Sequence, residues 1–137
     1  NPQAQDALIR RLKDKITKNS EKLVDVRMDG VQGADVVVLS YGITSRIVTA
    51  ALEAARKRGV KAGHLRLVTC WPFPSRLLRE IASTAKAIVF PELNMGQMAL
   101  EAERAVAGRI PVISVPHAGG TVHDPDVIVE SIMEVAR

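Results

Sequence analysis

The sequence predicts an α/β fold in which a mostly parallel, five-stranded sheet is covered by helices on both faces. Four apolar, strand-like segments alternate with segments whose apolar residues recur every three or four positions, the spacing of an amphipathic helix. A fifth segment, 23–30, alternates apolar with charged residues, which is typical of a half-exposed edge strand. Strands that alternate with helices form βαβ units and hence parallel sheets, and the polar-alternating strand suits an edge, where it can run antiparallel.

The first predicted element is a helix over 3–19, in which Leu8, Leu12 and Ile16 form one apolar stripe. Its other face is basic, which could indicate binding to nucleic acid or to a membrane surface. A solvated face is favoured, because no aromatic or glycine-rich element accompanies the charges. We expect residues 1–22 to be a lead-in helix from a preceding domain and residues 23–137 to be the α/β domain. The chain begins at Asn1 and not at Met, so we expect it to be a piece of a longer product.

The remaining elements follow the same alternation along the chain. The apolar run 34–42 ends at Gly42, and the helix after it ends at Gly59, which follows three basic residues as helix C-termini often do. The last helix follows Asp124, a good N-cap, with Pro125 at its first position. Strands are therefore expected at 23–30, 34–42, 64–70, 85–92 and 110–117, and helices at 44–59, 74–84, 96–108 and 124–137.

Composition limits the class of protein. A chain of 137 residues fits one domain, and an aromatic content of 3% means that the core is built from Val, Ile, Leu and Ala. No apolar run reaches the roughly 20 residues of a membrane span. The single cysteine, Cys70, excludes an internal disulfide and a cysteine-based zinc site and fits a reducing, cytoplasmic location.

The loops at the carboxyl ends of the strands are the candidate sites, because open α/β sheets bind ligands there. Segment 40–45 (SYGITS) could hold a phosphate at the start of a helix, but a helix cap is favoured because no glycine-rich phosphate motif is present. His117 and His123, with Asp124, could bind a metal; a flexible, solvated loop is the alternative. We interpret Cys70, at a strand end, as a small core residue.

Glu92 is the one carboxylate at a strand end in a tight turn. It could act as an acid or a base, or it could cap the next helix or pair across an interface. The sequence contains no nucleophile–base pair, metal-binding set or nucleotide cradle. We therefore predict no catalytic, cofactor-binding or metal-binding residue in this chain.

The scarce aromatic residues are concentrated in the turn WPFP at 71–74. Its prolines stiffen the backbone, so Trp71 and Phe73 could present a rigid surface to a partner, or they could plug the end of the sheet under a helix. The two interpretations are compatible.

The loop ELNMGQM at 92–98 is the second unusual segment. Asn94 can cap the next helix, and Gly96 suits a left-handed or closely packed backbone. This leaves Gln97 with a free amide, and Met95 and Met98 either as adaptable contacts or as core residues. If neighbouring strands of the chain are adjacent in the sheet, this loop and the WPFP turn form one continuous surface that faces a partner.

These motifs together resemble a known family. The Tyr41–Gly42 turn, the WPFP turn, the E-x-N-x-G-Q-M segment and a Gly-Gly pair at 119–120 are similar to the transketolase C-terminal-like domain of the alpha subunit of 2-oxoacid:ferredoxin oxidoreductases. The likeness covers residues 5–137, and segment 92–98 most resembles the 2-oxoglutarate-type members. It implies a three-layer α/β/α sandwich around a five-stranded sheet with an antiparallel edge strand.

The resemblance also implies a function. The whole enzyme converts a 2-oxoacid, coenzyme A and oxidised ferredoxin into acyl-coenzyme A, carbon dioxide and reduced ferredoxin, using thiamine pyrophosphate, Mg²⁺ and iron–sulfur clusters held in its other parts. This chain would be a non-catalytic assembly and dimerisation domain that contacts other subunits and domains and binds neither nucleic acid nor membrane. A free-standing module that binds a small ligand or a nucleotide remains the alternative. The candidate interface residues are Tyr41, Gly42, Trp71, Pro72, Phe73, Pro74, Glu92, Asn94, Gly96, Gln97 and Met98.

Overall fold

Five strands form a single sheet in the computed structural model, which describes residues 1–137. The strand order is β1-β3-β2-β4-β5; β1 runs antiparallel to β3, and every other neighbouring pair is parallel. The predicted parallel sheet with an antiparallel edge strand is thereby confirmed. The strands are β1 (Val26–Asp29), β2 (Val36–Tyr41), β3 (Ala62–Leu67), β4 (Ala87–Glu92) and β5 (Val112–Pro116).

Helices cover both faces of this sheet, so the predicted three-layer arrangement is also confirmed. The fourth and fifth helices pack on one face, and the third and sixth pack on the other. No helix has both the length and the apolar character required to cross a membrane. The helices are α1 (Pro2–Thr17), α2 (Ser20–Leu23), α3 (Thr44–Lys57), α4 (Ser75–Ile81), α5 (Gln97–Val106) and α6 (Pro125–Val135).

Two aliphatic cores lie on opposite sides of the central strand β2. Successive side chains of a strand point to opposite faces; Val37 and Leu39 therefore enter the core under α4 and α5, and Val36 and Val38 enter the core under α3 and α6. Phe90, on β4, is fully buried in the first of these cores. A strand buried on both faces needs a continuous apolar run, which is the pattern that predicted β2.

The two edges of the sheet are less buried than its centre. We predicted that the last strand would be buried like the other apolar strands, and this prediction is wrong: only Val115 of β5 is buried. The reason is that β5 has one strand neighbour and lies at the margin of both helical layers. Helix α1 lies outside both cores and contains no buried residue. Its apolar stripe, which includes Leu8 and Leu12, is exposed.

Element ends show where local chemistry decides the structure. The Asp124 side chain accepts a hydrogen bond from the N–H of Asp126 at 3.0 Å, which confirms the predicted cap of α6. Strand β3 ends earlier than predicted, at Leu67. The reason is that the backbone N–H groups of Val68 and Thr69 turn towards the carbonyl of Asp25, outside the β3 ladder.

Candidate functional site

The carboxyl ends of β2, β3, β4 and β5 lie along one edge of the sheet, because these strands are parallel. We call the loops at this edge, 41–45, 68–75, 92–98 and 116–124, the carboxyl-end surface. Every candidate interface residue of the sequence analysis lies in one of them. The strand order separates two of these loops, however. Strand β2 lies between β3 and β4, so the strands that precede the WPFP turn and segment 92–98 are consecutive in the chain but not adjacent in the sheet.

Tyr41, at the end of β2, occupies the space between those two loops. Its ring packs edge-on against Phe90, with 6.0 Å between ring centroids, and it contacts the same core as Phe73 and Met98. The predicted condition of adjacent strands is therefore not met, but a residue of the intervening strand connects the two loops to one apolar core.

Glu92 is the centre of a buried hydrogen-bond network. Its carboxylate is 1% exposed and accepts hydrogen bonds from the backbone N–H groups of Met98 and Ala99, at 3.1 and 2.9 Å. It also accepts from the hydroxyl of Tyr41 at 3.1 Å and from the amide of Asn94 at 3.2 Å. Free N–H groups and the helix dipole at the start of α5 stabilise this negative charge without a cationic partner. Of the roles predicted for Glu92, capping of the next helix is confirmed.

Asn94 and Gly96 shape the turn into α5. The Asn94 side-chain oxygen accepts hydrogen bonds from the N–H groups of Gly96 and Gln97, at 2.7 and 3.3 Å, as the predicted cap requires. Gly96 has φ of +90°, and a Cβ there would lie 2.6 Å from the Ser114 hydroxyl oxygen, so both predicted reasons for glycine are confirmed. We predicted that the side-chain amide of Gln97 would be free. This is wrong for the amide oxygen, which accepts a hydrogen bond from the N–H of Met95 at 3.0 Å.

This network controls the acidity of its neighbours. Burial, with the nearby Glu92 charge, raises the pKa of Tyr41 to about 12. Burial and the same charge also raise the pKa of the Cys70 thiol. Both groups stay protonated at neutral pH, and the Glu92 carboxylate already accepts four hydrogen bonds. The arrangement holds segment 92–98 in place at the start of α5.

The WPFP turn divides its two aromatic side chains between surface and core. Trp71 is 66% exposed, whereas Phe73 is half-buried and packs against the core under α4 and α5. Pro72 follows a cis peptide bond and is half-buried, and Pro74 is buried. The rigid-surface interpretation therefore describes Trp71, and the plug interpretation describes Phe73. Phe73 and Pro74 also line a groove of about 540 Å³ between α2 and α4.

Sequence reasoning missed several exposed apolar side chains on this surface. Ile43 is 49% exposed and Val122 is 52% exposed. Each lies in a strand-end loop, where polar residues are usual. Met95 is 73% exposed and acts as a surface residue, whereas Met98 is half-buried against the core. Leu93 is also exposed. For Ile43, Leu93 and Met95 the available signal was an apolar residue beside a glycine or an asparagine at a strand end; Val122, between Thr121 and His123, carried no such signal.

The predictions for segment 40–45 need correction. No side chain caps the start of α3, because the hydroxyl of Ser45 turns inward and lies 2.9 Å from that of Ser40. Ser40 in turn lies 2.7 Å from Nε2 of His64 on β3. Gly42 is exposed, with φ of +59°, and takes no part in the network around Glu92.

The loop that carries His117 and His123 is exposed over 118–122, as the solvated alternative predicts, but His123 is buried. His123 is 4% exposed, and its Nε2 donates to the carbonyl of Val115 at 2.8 Å, while its Nδ1 has no hydrogen-bond partner. His117 pairs with the hydroxyl of Thr121 at 2.8 Å. The two imidazole rings lie 5.1 Å apart, but the structure brings no group of three potential metal ligands together anywhere in the chain.

Comparison with known proteins identifies the family. The model of pyruvate:ferredoxin oxidoreductase core domain II matches residues 34–128. The chain is 41% identical, over 133 residues, to the 2-oxoglutarate synthase subunit KorA of Methanothermobacter marburgensis; the match covers 97% of this chain and 36% of that subunit. The chain therefore spans about a third of the length of the curated relatives that it resembles most.

Solved structures show the same fold. A 2-oxoglutarate:ferredoxin oxidoreductase from Magnetococcus marinus, with 2-oxoglutarate, coenzyme A and succinyl-CoA bound, superposes with a TM-score of 0.81 at 26% identity. This match covers 98% of the present chain and 24% of that one. A split-gene transketolase, an inactive beta4 tetramer, shares the fold at 20% identity and a TM-score of 0.67, covering 77% of this chain and 40% of its own. The chain belongs to the pyruvate:ferredoxin oxidoreductase core domain II family.

Proposed function

We propose that this chain is the second domain of the alpha subunit of a 2-oxoacid:ferredoxin oxidoreductase of the 2-oxoglutarate type. In the whole enzyme a 2-oxoacid, coenzyme A and oxidised ferredoxin give acyl-coenzyme A, carbon dioxide and reduced ferredoxin. The similarity to a 2-oxoglutarate synthase subunit and to a 2-oxoglutarate:ferredoxin oxidoreductase supports this substrate class. Residues 1–22, which contain α1 and most of α2, would connect this domain to a preceding one.

The role of the domain is assembly, including a contact between two copies, and it takes no part in the chemical step. The carboxyl-end surface supports this role, because its polar groups bond to one another while apolar side chains are left facing outward. The single observation that carries the proposal is the exposure of these apolar residues on four consecutive loops. They are Ile43, Trp71, Leu93, Met95 and Val122.

Such a surface suits contact with the other subunits and domains. Interface centres are enriched in aromatic residues and methionine and depleted of charge. The candidate interface set divides into outward residues, such as Trp71 and Gln97, and supporting residues, such as Glu92, that hold the loops in shape.

The cofactors of the whole enzyme do not fit the residues of this chain. An iron–sulfur cluster requires several ligands, usually cysteine thiolates, and the chain contains Cys70 alone. No three carboxylate, thiol or imidazole groups converge to hold Mg²⁺ or another metal. The iron–sulfur clusters are therefore held by other parts of the enzyme, and in this proposal thiamine pyrophosphate and its Mg²⁺ are held there as well.

Replacement of Trp71 tests the assembly role. We expect Trp71→Ala to weaken binding to the other subunits by about 2 kcal/mol or more, because exposed tryptophans are frequent interface hot spots. Sedimentation velocity with the purified partner subunits measures this loss. Leu100→Ala is the matched control: Leu100 is 63% exposed but lies on the outer face of α5.

The Leu100→Ala control shows whether a loss of assembly is specific to the carboxyl-end surface. Unchanged assembly in Trp71→Ala, or equal weakening in Leu100→Ala, would contradict a specific role for the carboxyl-end surface. A circular dichroism spectrum like that of the wild type shows that the variant is folded.

The alternative, a free-standing module that binds a small ligand or a nucleotide, rests on the position of the same loops, where parallel sheets usually bind ligands. Calorimetric titration with thiamine pyrophosphate, coenzyme A and common nucleotides separates the two functions. Micromolar binding of any of them to the carboxyl-end loops would favour the module over the assembly domain.

A further inference from the structure

A basic groove lies between the first two turns of α3 and the strands β1 and β3. Its volume is about 340 Å³. Three arginines line it: Arg27 on β1, Arg46 on α3 and Arg66 on β3. None of their side chains forms an ion pair within the chain. The groove shares only Ser45 with the carboxyl-end surface and contains none of the exposed apolar residues on which the assembly proposal rests.

Two of these arginines are placed against each other. Arg27 and Arg66 occupy directly opposite positions of the antiparallel β1–β3 pair, where like charges destabilise a sheet. The one carboxylate that lines the groove, Asp29, is 2.9 Å from Arg56 and 70% exposed. The positive charge of the groove is therefore not neutralised by the chain itself.

The floor of the groove contains a buried polar chain that ends in an imidazole. His64, at 9% exposure, is bonded through Nε2 to Ser40, which is bonded to Ser45. His64 takes part in the hydrogen bonds of the chain through Nε2 alone, which leaves Nδ1 available to a ligand. If the Ser45 hydroxyl donates to Ser40, and Ser40 donates to Nε2, then the neutral imidazole carries its proton on Nδ1 and can donate it to a ligand.

We propose that this groove binds the phosphate group of a small phosphorylated ligand. A phosphate dianion has enough charge and enough acceptor oxygens to bond several arginines at once, whereas one carboxylate neutralises only one of them. Arg27, Arg46 and Arg66 supply the charge. Nδ1 of His64 donates one further hydrogen bond from the floor.

Calorimetry with inorganic pyrophosphate and inorganic phosphate tests this site in the whole protein in which the chain occurs. We expect saturable binding at low ionic strength, and for Arg66→Gln and Arg46→Gln a rise in Kd of about tenfold or more. Arg11→Gln removes the same charge from the exposed helix α1 and serves as the control. Its Kd should change less than about twofold, since a distant exposed charge is screened by salt.

Thermal unfolding shows whether each variant is folded and gives a second measure of ligand binding. Pyrophosphate should raise the unfolding midpoint of the wild type and of Arg11→Gln, but not that of Arg66→Gln. An Arg66→Gln protein that is folded without ligand and binds pyrophosphate as the wild type does would overturn the proposal. So would the absence of saturable binding up to about 1 mM.

His64 provides a second readout that does not depend on affinity. Burial is the main reason that the pKa of His64 is lowered; the charge of Asp29 opposes it, and Arg66 and Arg56 add smaller effects in the lowering direction. A bound dianion favours the imidazolium and should raise this pKa, as followed by the NMR signal that is lost in His64→Gln. A signal that does not respond to saturating phosphate would contradict the proposed contact. Tighter binding of an acidic peptide than of pyrophosphate would overturn the proposal in favour of a protein partner.

Discussion

At the scale of single residues, Glu92 decides the structure of the carboxyl-end surface. A buried carboxylate without a cation is costly unless hydrogen bonds compensate for the lost hydration. Two N–H groups of α5, the hydroxyl of Tyr41 and the amide of Asn94 provide that compensation. The carboxylate is therefore a structural anion, and Tyr41 is held in place by the same bonds.

The acidity of Tyr41 can be measured directly, because the chain contains one tyrosine. We expect the native phenol to ionise at pH about 12, since burial and the Glu92 charge disfavour the phenolate. A spectrophotometric titration in denaturant should give the ordinary value near 10 and serves as the control. Native and denatured midpoints that coincide would contradict the network.

The same shift affects stability in a defined pH range. The folded pKa lies above the unfolded one, so the contribution of Tyr41 is fully present below pH about 10 and is lost as the pH rises through about 12. The unfolded state gives up its proton first and is therefore favoured in that range.

For single residues, the sequence predicted local backbone roles better than it predicted hydrogen-bond partners. Asn94 as a cap and Gly96 as a left-handed residue follow from local backbone chemistry, and both predictions are correct. The inward turn of Ser45 depends on Ser40 and His64, which come from two different strands. No local pattern contains that information.

At the scale of elements, one glycine allows the connection after β1 to pass close to β3. A Cβ at Gly63 would lie 2.6 Å from the carbonyl oxygen of Gly30 and 2.6 Å from the Cα of Val31. Both are backbone atoms, which cannot rotate away as a side chain can. The contact between strand and connection therefore requires glycine at this position.

We expect Gly63→Ala to lower the free energy of unfolding by about 3 kcal/mol, at the upper end of overpacking effects. Urea denaturation followed by circular dichroism measures the change. Gly33→Ala is the matched control, because Gly33 has φ of +76° but no atom within 4 Å of an added Cβ. It should cost only the left-handed strain of about 1–2 kcal/mol. An equal or smaller loss for Gly63→Ala would show that the connection can move aside.

The type of each helix or strand was predictable from the sequence, whereas the residues at which it begins and ends were less so. Continuous apolar runs predicted β2 and β4, and helical spacing predicted α3 and α5, because burial imposes these patterns on the sequence. The short helix α2 was not predicted, since four residues are too few to show a period.

At the scale of the whole molecule, helix α1 differs from the other long helices because it contributes nothing to either core. Helix α1 contains no buried residue, whereas α6 places Ile128, Val129 and Ile132 in the core under α3 and α6. The order of the strands was not predictable from the sequence, because it depends on which helix packs on which face. The resemblance to a known domain, however, implied the antiparallel edge.

Removal of residues 1–19 tests this difference. We expect the free energy of unfolding to change by no more than about 0.5 kcal/mol, as for other exposed sites, because the deletion exposes no core. Urea denaturation of the two chains gives the comparison. A loss of more than about 2 kcal/mol would mean that α1 belongs to the folded body.

Strand β1 has a further consequence for the behaviour of the molecule at high concentration. Its outer edge has no strand neighbour, so a row of backbone N–H and C=O groups is open to another chain. The strand is only four residues long, and the charged side chains of Arg27 and Asp29 alternate with Val26 and Met28. A short, charged edge is a poor template for cross-β stacking. The β1 edge of the sheet is therefore protected against growth into a fibril.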